Sequence, residues 1–197
     1  MQLCDLTLQY AVVLGLEQLN LTLPDSGLVC IFAPSGTGKT TLLNLFCGLL
    51  KPDSGRVEGL EDRKFAYVFQ EDRLVPQLTA RENIRLVMEQ PDEQWICQMI
   101  EQLGLAGWED ALPQELYGGM QRRVAIARAF AYGKQYGSRT VYLLAEPLTG
   151  LDEQAAAQTL VLIRERVDGS RAFWFPHDRA QAPAADWLVC LEGRPMY

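Results

Sequence analysis

The sequence has 197 residues and a net charge of −7, with 48% hydrophobic and 22% charged residues. These values are ordinary for a globular domain with a sizeable core. The negative charge argues against a broad nucleic-acid interface and against direct adhesion to an anionic lipid surface. No apolar stretch is long enough to insert directly into a membrane, and no basic segment followed by an apolar run opens the sequence, so we expect neither a spanning helix nor a signal peptide.

Predicted strands and helices alternate along most of the chain. Residues 1–32 alternate in a strand-like pattern and end in a buried strand at 28–32, after which a helix is predicted from Lys39 to the turn at 50–55. The remaining predicted strands cover residues 65–69, 141–145, 171–175 and 187–191, and the remaining predicted helices cover 79–103, 120–132 and 153–167. This order predicts an α/β fold with a mainly parallel sheet.

The cysteine and histidine content gives no sign of a metal centre. The five cysteines are widely spaced and no pair has zinc-ligand spacing, so we expect buried free thiols in a reducing compartment. A multi-histidine site is excluded because His177 is the sole histidine of the sequence.

Residues 33–40, with the sequence APSGTGKT, fit the phosphate-binding loop (P-loop) pattern with alanine at the first glycine position. Small residues let successive backbone N–H groups turn towards a phosphate, and the following helix points its positive end at the same anion. Lys39 adds a charge for the β- and γ-phosphates, and the Thr40 hydroxyl is suited to bind Mg²⁺. A chance match in a glycine turn is the competing interpretation, but a strand before the loop and a helix after it favour nucleotide binding. The predicted nucleotide-binding residues here are Ala33, Pro34, Ser35, Gly36, Thr37, Gly38, Lys39, Thr40 and Thr41.

A P-loop does not by itself separate kinases, GTPases, helicases and transport ATPases. From Tyr10 to Asp178, however, the order of motifs resembles that of the ATP-binding-cassette (ABC) family, and residues 74–84 resemble its importers of small solutes. The resemblance implies a P-loop NTPase core with an antiparallel β subdomain and a small helical subdomain at about 71–117, all within a single domain over 1–197. It also implies ATP and Mg²⁺ as cofactors.

Two further residues are assigned to the nucleotide by this resemblance. Tyr10 occupies the place of an aromatic residue that stacks on adenine, although a strand aromatic of no special role is the alternative interpretation. Gln70 matches the Q-loop glutamine, which senses Mg²⁺ and the attacking water and communicates with a transmembrane partner. Thr40 and Gln70 are therefore the implied metal ligands.

Residues 116–123, with the sequence LYGGMQRR, align with the family signature, which usually reads Leu-Ser-Gly-Gly-Gln. In the family, the glycine pair and the following helix reach the γ-phosphate bound on the opposite subunit, a role implied here for Gly118 and Gly119. Tyr117 replaces the serine that contacts the phosphate, and Met120 replaces the glutamine.

Residues 141–147 match the Walker B strand with one large departure, because Ala145 replaces the aspartate that orients Mg²⁺. Glu146 keeps the position of the carboxylate that polarises the attacking water. Residues 148–152 resemble the D-loop, which meets its counterpart across a dimer. His177 matches the switch histidine that contacts the γ-phosphate, so the implied catalytic residues are Glu146, His177 and Gln70.

The resemblance implies an ATP-hydrolysing subunit that energises solute transport through a separate transmembrane permease. Such a subunit is expected to be cytoplasmic and peripheral on the inner face of the cell membrane, and to work as a homodimer or with a second ABC subunit. Because of Ala145 and Tyr117, a nucleotide-binding module that binds ATP but cycles poorly remains the alternative. A P-loop kinase is weaker, since nothing resembles an acceptor site or a lid.

Overall fold

The computed structural model describes residues 1–10, 13–34 and 36–192. The strands are β1 (Gln2–Tyr10), β2 (Val13–Thr22), β3 (Gly27–Phe32), β4 (Ser54–Glu58), β5 (Lys64–Val68), β6 (Thr140–Ala145), β7 (Arg171–Phe175) and β8 (Trp187–Cys190). The α-helices are α1 (Lys39–Phe46), α2 (Ala80–Arg85), α3 (Glu93–Gln102), α4 (Met120–Tyr136) and α5 (Glu153–Val167). Short 3-10 turns cover Pro113–Glu115, Gly137–Arg139 and Arg179–Ala184.

The strands form two sheets of different kinds. A three-stranded antiparallel sheet has the order β2-β1-β4, and a five-stranded sheet has the order β5-β6-β7-β3-β8, with parallel pairing between its neighbours. The predicted α/β class, the mainly parallel sheet and the antiparallel β unit are thus confirmed.

The order of the parallel sheet determines where the site lies. β7 lies between β3 and β6, with Cys30 opposite Trp174 and Ala145 opposite Phe175. Because parallel strands end at the same edge of a sheet, the segments that follow β3, β6 and β7 meet there. These segments carry the P-loop, Glu146 and His177.

The two faces of the parallel sheet bury different hydrophobic clusters. On one face Leu144 and Trp174 pack with residues of α4 and α5. On the other face Leu143 and Phe173 pack with residues of α1 and the antiparallel sheet. Both faces are covered, so β6 reads as a continuous apolar run rather than an alternating one.

The predicted helical stretch at 79–103 is two helices rather than one. The chain leaves the helical conformation between α2 and α3, where Pro91 disfavours a helix at the residue before it. Asp92 then caps α3 by accepting a hydrogen bond from the Trp95 N–H at 3.0 Å. The division of a helical subdomain at 71–117 stays a prediction.

Four of the five cysteines are not buried as predicted, and two of these, Cys4 and Cys47, are half-buried. Cys97 and Cys190 are exposed, whereas Cys30 is fully buried on the central strand β3. Burial raises the pKa of the Cys30 thiol to about 11, which keeps it protonated at neutral pH. Within the described ranges, no helix is both long and apolar enough to cross a membrane.

Candidate functional site

The P-loop follows β3 directly and turns on two glycines. Gly36 and Gly38 have φ angles of +74° and +112°, a region that favours glycine. At Gly38 an added Cβ would lie 3.2 Å from the Gly15 carbonyl oxygen, so the space there is also tight. The Thr37 hydroxyl donates to the Pro34 carbonyl at 2.7 Å and holds the turn together from inside. From residue 36 onwards the chain thus makes a tight turn between β3 and α1.

The side chains of the P-loop differ in exposure. Lys39 is half-buried, Thr40 is exposed, and Thr41 is buried against the core. Ala33 is also buried, at the end of the strand. Ser35 lies outside the described residues. The side chain of Tyr10 lies outside them as well, so its contact with adenine stays a prediction.

Two helices lack the side-chain cap that the others have. The side chains of Thr79, Asp92 and Asp152 accept hydrogen bonds from the first turns of α2, α3 and α5. In contrast, α1 follows Gly38 and α4 follows Gly119, and neither glycine can supply such a cap. No side chain therefore occupies the first turn of either helix, an arrangement that suits anion binding, although the Met120 N–H at the start of α4 donates to the Tyr117 carbonyl at 3.3 Å.

Glu146 and His177 meet at the carboxyl edge of the sheet. Glu146 Oε1 lies 3.8 Å from His177 Nδ1, and the Thr149 hydroxyl lies 3.4 Å from Glu146 Oε2. The Glu146 N–H donates to the Phe175 carbonyl at 2.9 Å, which ties the end of β6 to the end of β7. The side chain of Glu146 is 16% exposed and that of His177 is 69% exposed. A mostly buried carboxylate next to an open imidazole suits a proton acceptor with access from solvent.

The backbone at Glu146 is in a conformation that non-glycine residues rarely adopt. Its φ is +50°, in the left-handed region. Strain of this kind costs on the order of 1–3 kcal/mol and persists only when the surrounding structure enforces it. Here the hydrogen bond to Phe175 and the buried neighbour Pro147 fix the turn and orient the carboxylate. Ala145, just before it, is 7% exposed and offers no metal ligand.

Gln70 is exposed, and α4 holds the loop that carries it. The Arg122 guanidinium donates to the carbonyls of Phe69, at 2.5 Å, and of Gln70, and its Nε lies 3.2 Å from Asp72 Oδ1. Burial raises the pKa of the Asp72 carboxyl, and the two neighbouring arginines partly oppose this shift. Arg128 extends the anchor by donating to the Asp72 and Arg73 carbonyls, both at 2.8 Å.

These arginine anchors were missed as functional residues by the sequence reasoning. Arg122 and Arg128 lie in a helix rich in buried alanines, and that pattern was the available signal, since a cation in such a helix needs a partner. The anchors link the start of α4, directly after the signature glycines, to the Q-loop.

The second signature glycine, Gly119, packs against the D-loop. An added Cβ at Gly119 would lie 2.1 Å from Leu151 Cδ2 and 3.1 Å from the Gly150 carbonyl oxygen, so the close approach requires glycine. Tyr117 is 65% exposed, and its ring meets Trp108 edge-on at 5.2 Å between centroids. Among the described residues, no hydrogen bond connects Gly118 or Gly119 with the P-loop.

The residues present fit a Mg²⁺ ion that arrives with a nucleotide. In the described part of the chain, no group of three or more His, Cys, Asp or Glu side chains could hold a metal ion. Mg²⁺ commonly uses one or two protein oxygens, substrate phosphates and several waters. The exposed Thr40 hydroxyl and Gln70 amide are suitable oxygens, whereas Ala145 contributes none.

Comparison with known proteins gives a consistent result. The family model described as ABC transporter matches residues 16–149. The aliphatic sulfonates import ATP-binding protein SsuB 1 of Pseudomonas savastanoi pv. phaseolicola is 43% identical over 138 residues, covering 70% of this chain and 56% of that protein. The probable sulfate/thiosulfate import ATP-binding protein CysA of Chlorella vulgaris is 34% identical over 197 residues, covering 90% and 81%.

A solved structure agrees over the whole chain. The dimeric post-hydrolysis state of the ATP-binding cassette MJ0796, bound to ADP and Pi, has a TM-score of 0.84 and 25% identity, and covers 100% of this chain and 97% of that one. With the sulfonate relative, by contrast, the match spans little more than half of that protein's length. Both the family match and the shared fold support ATP as the nucleotide for this P-loop.

Proposed function

Because the chain belongs to the ABC transporter family, we propose that it is the ATP-hydrolysing subunit of an importer and works with a separate membrane permease. The observation that carries this proposal is the Glu146–His177 pair, 3.8 Å apart, at the sheet edge where the P-loop begins. A nucleotide-binding module that cycles poorly would not need a mostly buried carboxylate held at this edge. Neither the family match nor the relatives favour that alternative.

Binding of ATP uses backbone and side-chain groups together. The uncapped N–H groups at the start of α1 and the turn at Gly36–Gly38 surround the β-phosphate. Lys39 adds a positive charge for the β- and γ-phosphates, and Thr40 and Gln70 supply oxygens for Mg²⁺. When bound, Mg²⁺ neutralises the charge that develops on the transferring phosphoryl group.

Hydrolysis is assigned to Glu146, with His177 and Gln70 as its neighbours around the γ-phosphate. The Glu146 carboxylate accepts a hydrogen bond from the attacking water and takes up its proton. The His177 side chain is open to solvent and close enough to Glu146 to sense its charge. The Arg122 anchor holds the Gln70 backbone, which limits where the amide can reach.

We assign the start of α4 to a second nucleotide, bound by another subunit. Gly118 and Gly119 lead into uncapped N–H groups that no P-loop residue of this chain contacts among those described. The solved relative named above is a dimer. The second subunit is either another copy of this chain or a second ABC subunit.

The permease is proposed to dock on a groove next to the Q-loop. This groove has a volume of about 450 Å³, and Phe69 and Arg73, on either side of Gln70, form part of its wall. Leu49 and Leu86 line it and are 63% and 57% exposed, which is unusual for large apolar side chains unless a partner covers them. Docking there would place the subunit at the cytoplasmic face of the membrane without insertion into it.

Import is the proposed direction, because the named relatives are import proteins. Their solutes differ, so the solute is a property of the whole transporter rather than of this chain.

Steady-state ATP turnover with Mg²⁺ tests the proposal. We expect Glu146→Gln to lower turnover by roughly 10²–10⁴-fold, the usual contribution of a positioned general base, while ATP still binds. Glu153→Gln, on the exposed start of α5, is the matched control and should keep full turnover. Unchanged turnover in Glu146→Gln would contradict the catalytic assignment.

Co-expression with the permease should raise turnover, and Leu86→Asp should reduce that stimulation without changing ATP binding.

A further inference from the structure

A second cavity lies at the opposite edge of the parallel sheet from the P-loop. Its volume is about 400 Å³, and Tyr142 and Ser170 line it close to where β6 and β7 begin. Gly133, near the end of α4, forms part of another wall. The nucleotide mechanism uses none of these residues, since its groups follow the carboxyl ends of the same strands.

Two mostly buried side chains of this cavity carry hydroxyl groups that make no hydrogen bond among the described residues. Tyr142 is 4% exposed and Ser170 is 8% exposed, and both line the cavity. The Tyr142 hydroxyl lies so close to Gly133 that an added Cβ there would be 2.1 Å away. Neither hydroxyl oxygen is among the fully buried unpartnered atoms of the described residues, so both are open to the cavity, where a ligand can bond them. The two hydroxyls therefore point to a polar ligand.

Positive charge reaches the same cavity from Arg166. Its guanidinium donates to Gln102 Oε1 at 2.7 Å, while its Nε is buried without an acceptor. Burial raises the pKa of Tyr142 to about 12, and nearby Arg166 partly opposes this shift, so the hydroxyl is a neutral donor at physiological pH. The inner wall thus offers hydrogen-bond donors and one cationic group, which suits an oxyanion.

The mouth of the cavity limits the charge and shape of that ligand. Lys134 Nζ lies 2.5 Å from Asp92 Oδ2 and 5.6 Å from the centroid of the Trp95 ring. The charge of Lys134 is therefore already paired. The lining acids Glu165 and Asp168 are exposed and repel a dianion such as sulfate. Trp95 itself adds an apolar surface.

We propose that this cavity binds a small organic monoanion, with its carboxylate or sulfonate group on Tyr142, Ser170 and Arg166 and its carbon skeleton against Trp95. The site is separate from the nucleotide site, and its occupancy does not depend on the proposed function. It contacts the end of the helix whose start carries the signature glycines.

Nuclear magnetic resonance of the full chain tests the site directly. The probes are sodium benzoate and sodium benzenesulfonate, added with saturating ADP so that the P-loop is occupied, and sodium chloride and sodium sulfate at matched ionic strength are the controls. The readout is the ¹⁵N-indole signal of Trp95, assigned with Trp95→Phe. We expect a saturable shift with at least one organic probe and none with chloride or sulfate. No saturable shift with either probe, or an equal shift with chloride or sulfate, would overturn the proposal.

Substitutions then test which residues bind the oxyanion group of the probe. Tyr142→Phe should weaken probe binding by about tenfold or more, the effect of losing one hydrogen bond to a charged group. Tyr136→Phe, at the end of α4 and outside the cavity lining, should bind as the parent does. Because the Tyr142 hydroxyl is unpaired in the free protein, Tyr142→Phe should keep or raise the melting temperature without ligand. If that variant fails to fold, Ser170→Ala carries the same affinity test, and an unchanged affinity in a folded variant of either residue contradicts the site.

Discussion

Two helices of this protein begin in the same way but differ in the backbone conformation of the preceding glycine and in the side chain that follows it. Both α1 and α4 start directly after a glycine and lack a side-chain cap. At the start of α1, Gly38 has a φ of +112° and Lys39 follows it. At the start of α4, Gly119 has an ordinary φ of −76° and Met120 follows it, so no cation extends the anion site.

The comparison separates what backbone and side chains contribute to phosphate binding. A glycine and an uncapped helix start provide N–H donors at both places, and these donors do not depend on the neighbouring side chains. The P-loop adds a cation, whereas the signature has Tyr117, which is 65% exposed and rests on Trp108. We therefore expect substitutions at α1 to affect nucleotide binding within the chain, and substitutions at α4 to affect assembly and turnover.

Lys39→Ala gives the largest expected effect, because it removes the cation that distinguishes the two helix starts. We expect ATP affinity to fall by about a hundredfold or more, since charge-assisted hydrogen bonds to two phosphates are lost. Calorimetric titration with ATP and Mg²⁺ measures this loss. Lys51→Ala, an exposed lysine beyond α1, is the control and should bind as the parent does. Equal affinity in a folded Lys39→Ala protein would reject the P-loop assignment.

Gly119→Ala disturbs the other helix start by overpacking. The new methyl group would lie 2.1 Å from Leu151 Cδ2, so the D-loop or α4 must shift. We expect about 1–3 kcal/mol of lost stability in denaturant unfolding, with ATP turnover reduced and ATP affinity unchanged. Gly118→Ala is the comparison variant. Gly118 has a φ of +56°, but no atom lies within 4 Å of an added Cβ there. A larger loss at Gly118 than at Gly119 would show that backbone strain, not the D-loop contact, requires these glycines.

Ala145→Asp tests whether the missing metal ligand limits the rate. The restored carboxylate at the end of β6 should orient Mg²⁺ and raise turnover by roughly tenfold, equivalent to about 1.4 kcal/mol of transition-state stabilisation. ATP affinity should change less, because Lys39 and Thr40 already hold the ground state. Ala145→Asn has nearly the same shape without the charge and should give a smaller gain. Steady-state assays without any gain would indicate that another step, such as assembly at Tyr117, limits turnover.

Much of the fold was predictable, because local patterns and the final packing agree. The α5 helix and the β7 strand were predicted with the boundaries that they have. The split between α2 and α3 was missed because the apolar spacing continues across 79–103, whereas Pro91 and the Asp92 cap interrupt the backbone. The pattern of apolar residues reports burial and carries little information about caps.

Motifs predict single site residues, whereas the long-range contacts that those residues make cannot be read from the sequence. Glu146 and His177 were predicted individually, but their 3.8 Å separation depends on β6 lying next to β7. The Arg122 contacts to Phe69 and Gln70 join segments more than 50 residues apart, so no local pattern reports them. The unpaired hydroxyl of Tyr142 could not be predicted either, since the sequence shows only an apolar strand there.

Tyr117→Ser gives the smallest expected effect and addresses the composition of the dimer. The ring of Tyr117 is mostly exposed, and its contact with Trp108 contributes about 0.5–1.5 kcal/mol at most, so the variant should fold. The smaller side chain clears the approach of a second subunit and restores a hydroxyl near the N–H groups of α4. In a Glu146→Gln background, where ATP persists, we expect a few-fold increase in ATP-dependent dimer by light scattering. Tyr117→Phe keeps the ring without the hydroxyl. If the bulk of the ring is what prevents dimer formation, Tyr117→Phe should show no increase in ATP-dependent dimer. If Tyr117→Ser also remains a monomer under saturating ATP, two copies of this chain do not form the ATP-dependent dimer, and a second ABC subunit must supply the other signature.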